Sequence, residues 1–105
     1  MALLTRERDD LQAAATRLRN QLHTLLQQAQ PGAPKARLRR RRELDRWCAY
    51  QPSSTAPLDQ VRAERIRRRA CRLASLLEEI TALEQQIETA APAVAAPLQA
   101  LVGVG

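Results

Sequence analysis

A seven-residue repeat of large apolar side chains between positions 58 and 90 constrains the fold more than any other feature. Ile66, Leu73, Ile80 and Ile87 recur at this spacing, and no glycine or proline interrupts the stretch. Residues seven apart lie on one side of an α-helix, so the repeat predicts one long helix over 58–90 with a continuous apolar stripe. The neighbouring positions of the stripe are filled by Ala70, Leu76, Leu77 and Leu83.

The same helix carries a line of positive charge. Four arginines follow i, i+3, i+7, i+10 spacing and therefore share a face, beside the apolar stripe. We call them the arginine ridge: Arg62, Arg65, Arg69 and Arg72. The predicted helix thus offers one face to a partner helix and another to an anionic molecule.

A matching leucine repeat lies in the N-terminal region, 1–30. Leu4, Leu11, Leu18 and Leu25 recur every seven residues, Arg8 is a polar residue within the stripe, and Pro31-Gly32 would stop the helix. The repeat predicts a coiled-coil helix, the alternative being a single amphipathic helix that packs on a larger domain. We expect a homo-oligomer through the two repeats, formed by Leu4, Leu11, Leu18, Leu25, Ile66, Leu73, Ile80 and Ile87.

Composition favours long helices over a compact core. The chain of 105 residues has no phenylalanine, one tryptophan and one tyrosine, so large side chains for a thick core are scarce. The predicted fold class is all-α: two long helices form an elongated helical hairpin or coiled coil, with a short basic helix between them and a short C-terminal helix. The pattern leaves open whether the helices pair within one chain or between chains.

Basic residues concentrate in the spacer 31–57, which we divide into a short helix within 33–52 and a linker, 51–57. Residues 31–52 hold seven Lys and Arg against two acids, and the chain as a whole has a net charge of +6. Such density predicts contact with a polyanion, with nucleic acid first and an anionic membrane surface second; the alternative is a solvated face. Trp47 shares a helical side with Leu44 and is expected to be a packing anchor. The spacer arginines assigned to nucleic acid are Arg37, Arg39, Arg40, Arg41, Arg42 and Arg46.

The cysteine usage predicts neither a metal site nor a cofactor. Cys48 and Cys71, with His23 as the single histidine, lack metal-ligand spacing. No apolar run resembles a signal peptide or a membrane span, so we expect a cytoplasmic protein without membrane contact.

The C-terminal stretch 91–105 breaks the charged pattern. Pro92 is expected to end the long helix, and Pro97 to open a short one. Gly103-Val104-Gly105 resembles the turn of a helix-hairpin-helix, in which glycines let backbone N–H groups approach a phosphate. We therefore add Gly103 and Gly105 to the candidate nucleic-acid-binding residues.

The order of these parts resembles a known family. A helix like LTRERDDLQAAATRLRNQL, a basic spacer, a helix like LLEEITALEQQIETA and then APAVAAPLQALVGVG is similar to the middle of the DEDD-type insertion-sequence transposases of the IS one-ten family. The resemblance implies DNA transposition and recombination, guided in characterised members by a structured RNA. It also implies a coiled coil that joins protomers, a start of the transposase domain at 91–105, and a divalent metal, expected to be magnesium, in the full enzymes.

The resemblance assigns no catalytic residue to this chain. The family's four acidic metal ligands would precede Met1 and its catalytic serine would follow Gly105, so the chain resembles a family member truncated at both ends. Asp9 and Asp10 lie on the first helix and do not match the acidic quartet, and Ser53, Ser54 and Ser75 match no serine motif. We expect a segment that dimerises and contacts DNA or guide RNA; the alternative is a basic coiled-coil oligomeriser without a nucleic-acid role.

Overall fold

The computed structural model describes the backbone of residues 2–103 and the side chains of residues 2–90. It contains three helices, α1 (Ala2–Ala29), α2 (Arg41–Cys48) and α3 (Pro57–Gly103). The described residues contain no β-strand. The prediction of an all-α fold with a short helix between two long ones is therefore confirmed.

α1 ends where the sequence predicts. The N–H of Gln30 donates to the Leu26 carbonyl at 2.8 Å, and the N–H of Ala33 donates to the Gln30 carbonyl at 3.2 Å. Between them Gly32 has a φ of 82°, in the left-handed region that glycine enters without steric cost. A Cβ on Gly32 would meet no atom within 4 Å, so the turn selects glycine for its backbone conformation and not for space.

α1 packs along the first part of α3, and the two run in opposite directions. Gln21 contacts Arg69 at 3.4 Å, whereas Ala29 lines the same small cavity as Arg62; moving forward on α1 thus corresponds to moving back on α3. Of the predicted α3 repeat, Ile66, Leu73 and Ile80 are buried here; of the predicted α1 repeat, Leu11, Leu18 and Leu25 are only partly buried against the core, and neither Leu4 nor Ile87 belongs to it. The core contains Ala15, Leu22 and Leu26 of α1 with Ile66, Ala70, Leu73, Leu76 and Ile80 of α3.

The segment after α1 folds back along that helix before α2 begins. Arg19 of α1 donates from Nε to the Leu38 carbonyl at 2.9 Å, and Leu38 is 1% exposed. α2 starts only at Arg41 because Glu43 closes its N-terminus: its Oε1 accepts from the N–H of Arg40 at 2.8 Å and from that of Arg39 at 3.1 Å. The short helix predicted within 33–52 is therefore confined to Arg41–Cys48.

α2 packs on α3, also in the opposite direction. Arg41 at its start forms an ion pair with Glu78 at 2.7 Å, and the carbonyl of Tyr50, just beyond its end, accepts from Arg67 Nη1 at 2.8 Å. Leu44 is fully buried and Trp47 is 5% exposed. Trp47 is thus a packing anchor, as its spacing from Leu44 predicts.

α3 is longer than the sequence predicts. We expected its end at Pro92 and a separate short helix after it, but the helix continues to Gly103. A proline removes its own backbone donor and costs roughly 3 kcal/mol in a helix interior. The flanking alanines have the highest helix propensity and oppose a break at that point. A helix of 47 residues is about 70 Å long at ~1.5 Å per residue, and the longest axis of the molecule is 70 Å.

Candidate nucleic-acid interface

The structure divides the arginine ridge of α3 into two exposed and two half-buried members. Arg65 and Arg72 are exposed, whereas Arg62 and Arg69 lie at the edge of the α1–α3 interface. Arg69 donates from Nε to Oε1 of Gln21 at 3.4 Å, and Arg62 approaches Asp59 at 3.9 Å. Within the described residues, Arg65 and Arg72 are the members of the ridge whose guanidinium groups make neither an ion pair nor a hydrogen bond, and they offer the most accessible charge.

Arg68 extends this exposed strip, although the predicted ridge did not include it. Together with Arg65 and Arg72 it follows i, i+3, i+7 spacing, so the three side chains share the outer face of α3. Its guanidinium contacts Glu64 at 2.8 Å, with 78% of the Arg68 side chain exposed. Exposed pairs of this kind contribute about 0–1 kcal/mol and exchange readily for another anion. We name Arg65, Arg68 and Arg72 the outer strip.

α1 adds a further arginine beside the ridge. Arg17 is exposed and lies four residues before Gln21, so both project from one face of α1. Because Gln21 contacts Arg69, that face borders the ridge. Arg17 could not be assigned from the sequence, since its position depends on how α1 and α3 are paired.

The spacer arginines form a second basic surface around α2. Arg37, Arg39, Arg40 and Arg42 are exposed, and in the described part of the chain none of the four guanidinium groups forms an ion pair. Arg41 is held by Glu78. The guanidinium of Arg46 lies 4.7 Å from the centre of the Trp47 ring, a cation–π distance.

Only Arg41 and Arg42 of the consecutive run belong to α2. Arg39 and Arg40 precede the helix, so the four consecutive arginines do not all lie on one helix. The peptide N–H groups of Arg39 and Arg40 both donate to the Glu43 carboxylate. These hydrogen bonds fix the backbone from which the two exposed arginine side chains project.

The two basic surfaces lie on opposite flanks of α3. Arg69 faces α1 and Glu78 faces α2; nine residues separate them, which is about 180° at ~100° per residue. The structure therefore does not join the ridge and the spacer arginines into one continuous surface. Sequence spacing could not reveal this separation, because it depends on the side of α3 that α2 occupies.

A cavity of about 690 Å³ opens next to the spacer arginines, between the end of α1, residues 30–36 and α2. His23, Lys35, Arg46 and Trp47 line this cavity together with uncharged residues. Among the residues that the structure describes, no carboxylate lines it. Burial, followed by the positive charges of Lys35 and Arg19, lowers the pKa of His23 below its usual value. The cavity is thus a positively charged recess within the size range of ligand pockets.

Two of the three residues of the predicted C-terminal turn lie outside the part of the chain that the structure describes. Gly103 is the last residue of α3, while Val104 and Gly105 fall outside the described residues. Across the described part of the chain, no group of three or more His, Cys, Asp or Glu side chains could hold a metal ion. Among the described residues, no helix has the length and apolar character needed to cross a bilayer.

Comparison with protein-family models, with curated proteins and with solved structures finds no match to this chain.

Proposed function

We propose that this chain is a nucleic-acid-binding helical module that contacts sugar–phosphate backbone through arginines and performs no chemistry of its own. The observation that supports it is the set of exposed arginines without an acidic partner, held on helices whose opposite faces are buried. Arginine presents a planar fork that matches phosphate oxygens in two parallel hydrogen bonds. Binding of this kind is largely independent of base sequence and weakens steeply with salt.

The resemblance to IS one-ten transposases supports placing this activity in DNA transposition. In such a system the module would hold DNA or guide RNA while other domains supply the metal ligands and the catalytic serine. The DNA that flanks the gene tests this origin: it should encode an acidic quartet upstream and a serine-containing continuation downstream. Flanking genes of unrelated function would contradict it.

We also propose that α1 and α3 form an antiparallel hairpin within one chain. Ala29 lies level with Arg62. One step of four residues and then steps of seven bring Leu25, Leu18, Leu11 and Leu4 level with Ile66, Leu73, Ile80 and Ile87. In this hairpin a homo-oligomer through these side chains would require two chains to exchange helices, because the two stripes would face each other within one chain. Sedimentation equilibrium distinguishes the two, since the chain mass is 11.7 kDa and an exchanged dimer has twice that mass.

The cavity supports a preference for nucleic acid with unpaired nucleotides. One face of the Arg46 guanidinium lies on the Trp47 ring, and Arg46 is otherwise exposed. An unpaired base can stack on the outer face of a guanidinium while its phosphate meets the charge of Lys35. We therefore expect single-stranded or structured RNA and DNA to bind more tightly than plain duplex.

The experiment that tests this function compares the two basic surfaces. One variant replaces the outer strip with glutamine (Arg65→Gln, Arg68→Gln, Arg72→Gln), and a second carries Arg39→Gln, Arg40→Gln and Arg42→Gln. Because the two sets of arginines lie on different elements and share no hydrogen bond or ion pair in the described residues, each variant should weaken binding, and the losses in binding free energy should add in the combined variant. Unchanged affinity in the combined variant at low salt would leave the chain as a structural oligomeriser.

A further inference from the structure

The only two cysteines of the chain lie on the same strip of the α2–α3 interface. Arg41 pairs with Glu78 at 2.7 Å. Seven residues forward on α2 is Cys48, and seven residues back on α3 is Cys71. Since the helices run in opposite directions and seven residues are nearly two turns, the second pair lies opposite each other as the first does.

A second contact fixes the same register on the far side of the cysteines. Just beyond Cys48, the Tyr50 carbonyl accepts a hydrogen bond from Arg67 Nη1 at 2.8 Å. The cysteine pair therefore lies between two polar contacts of the α2–α3 interface: the Arg41–Glu78 ion pair, two turns before Cys48, and the Tyr50–Arg67 hydrogen bond, just after it. Cys48 itself packs against the hydrophobic core, while Cys71 is exposed, and both thiols are free.

The environment of Cys48 agrees with this placement. Burial raises the pKa of the Cys48 thiol to about 12, and a hydrogen bond with Cys71 and the charges of Cys71 and Asp45 add to the effect, against the opposing influence of Arg41. A half-buried thiol with a raised pKa is a poor nucleophile near neutral pH. The exposed Cys71 is thus the thiol that an external reagent reaches first.

We propose that Cys48 and Cys71 form an oxidative modification site, closed by an intramolecular disulfide between α2 and α3 when the chain meets a low-molecular-weight disulfide. The Cys71 thiolate attacks one sulfur of the reagent, forms a mixed disulfide and releases the first reagent thiolate. Cys48 then loses its proton and attacks the Cys71 sulfur, releasing the second reagent thiolate. The two cysteines lose two electrons and two protons, and the reagent gains them as two thiols.

The first step prepares the second. Burial, the largest cause of the raised Cys48 pKa, remains in the mixed disulfide, but Cys71 can then no longer become a thiolate, so its charge no longer adds to the shift. The loss of this repulsion favours formation of the Cys48 thiolate, which lies opposite the Cys71 sulfur that it attacks. The closed disulfide joins α2, which carries three of the spacer arginines, to α3, which carries the arginine ridge. Its formation does not depend on nucleic-acid binding.

Cross-linking should raise thermal stability because it restricts the unfolded chain between residues 48 and 71. Closing a loop of this size raises Tm by roughly 10 °C or more in a domain of this length. The shift should be absent after treatment with a reducing agent, which restores both thiols.

The test treats the reduced full chain with excess oxidised glutathione and follows intact mass after quenching with an alkylating agent. The expected product lacks two hydrogen atoms, takes up no alkyl group and forms at a rate independent of protein concentration. Ring closure should be at least roughly tenfold slower in guanidinium chloride, where the helices no longer hold the thiols together. Accumulation of glutathione adducts or of disulfide-linked dimers by the native chain, or equal rates in the two conditions, would overturn the proposal.

Two serine variants assign the order of attack. Cys48→Ser retains the exposed thiol and should accumulate a stable glutathione adduct, whereas Cys71→Ser should react more slowly because its remaining thiol is only half exposed and has a raised pKa. The reverse order would overturn Cys71 as the attacking group. Circular dichroism establishes that both variants keep their helices, and the comparison of native with denatured wild-type chain tests the pairing without any substitution.

Discussion

Arg69 on α3 donates from Nε to Oε1 of Gln21 on α1 at 3.4 Å, and this contact joins the arginine ridge to the neighbouring helix. It makes Arg69 partly structural, since its guanidinium is directed toward α1. Arg65 and Arg72, which project further around α3, have no such role. A substitution series on the ridge must therefore separate lost charge from lost packing.

The outer strip provides the cleanest test of charge. Replacing Arg65, Arg68 and Arg72 with glutamine should leave helicity unchanged, because these side chains are exposed and glutamine is a good helix former. Each phosphate contact that is lost should reduce the slope of log K against log salt by roughly 0.7–0.9. Fluorescence anisotropy at several salt concentrations measures both the affinity and this slope.

Arg6 offers a matched control for these charges. It is also an exposed arginine on a helix, but it precedes Glu7, Asp9 and Asp10, so its surroundings are acidic. Arg6→Gln should change binding less than Arg65→Gln does. Equal losses from the two single variants would mean that net charge alone governs binding.

The native Arg8 side chain should make the folded chain less stable than an apolar side chain at the same position would. Its Nε is buried without a hydrogen-bond partner, and its Nη2 contacts Asp9 at 3.3 Å. A buried unsatisfied donor costs about 1–3 kcal/mol, so Arg8→Met, which keeps an unbranched side chain, should increase the free energy of unfolding by about 1 kcal/mol. Urea denaturation followed by circular dichroism checks the change, and a decrease in stability would show that the guanidinium is better satisfied than the contacts indicate.

Leu22 should be among the most sensitive positions of the α1–α3 interface. It is fully buried, whereas Leu3 on the same helix is 77% exposed. Leu22→Ala should lower the free energy of unfolding by about 2–5 kcal/mol through lost burial and a residual cavity. Leu3→Ala is the matched control and should change it by less than about 0.5 kcal/mol; similar losses at both positions would contradict the observed packing.

His23 should make stability fall as the solution becomes acidic. Its pKa is lowered in the folded chain by burial and by Lys35 and Arg19, so below its ordinary value of ~6.5 the unfolded chain binds more protons than the folded chain. The stability that neutral His23 contributes is complete above that pH and is lost as pH falls toward the folded pKa. His23→Gln should flatten the Tm profile between roughly pH 7 and 5, and an unchanged profile would assign the pH dependence to other groups.

The sequence predicts the elements of this fold well where one repeated physical signal is present. The leucine and isoleucine repeats predict α1 and the start of α3, Pro31-Gly32 predicts the turn, and the spacing of Leu44 and Trp47 predicts the buried face of α2. The predicted end of α3 at Pro92 was wrong because the helix-breaking effect of Pro92 was considered without the high helix propensity of the alanines beside it.

Features that depend on how helices pair could not be read from spacing. The separation of the ridge from the spacer arginines follows from the flank of α3 that α2 occupies, as the Arg41–Glu78 ion pair shows. The same holds for Arg17 and for the cavity at His23, since each joins residues from elements distant in the chain. Arg68 could have been recognised, because it shares i, i+3, i+7 spacing with Arg65 and Arg72.

The most direct measurement is a fluorescence-anisotropy titration of the wild-type chain against duplex DNA, single-stranded DNA and a structured RNA, at low and near-physiological salt. We expect tight binding at low salt that falls steeply as salt increases, with the single-stranded and structured ligands bound more tightly than duplex. Absence of binding to all three ligands at low salt would contradict a nucleic-acid interface and leave the exposed arginines as a solvated surface.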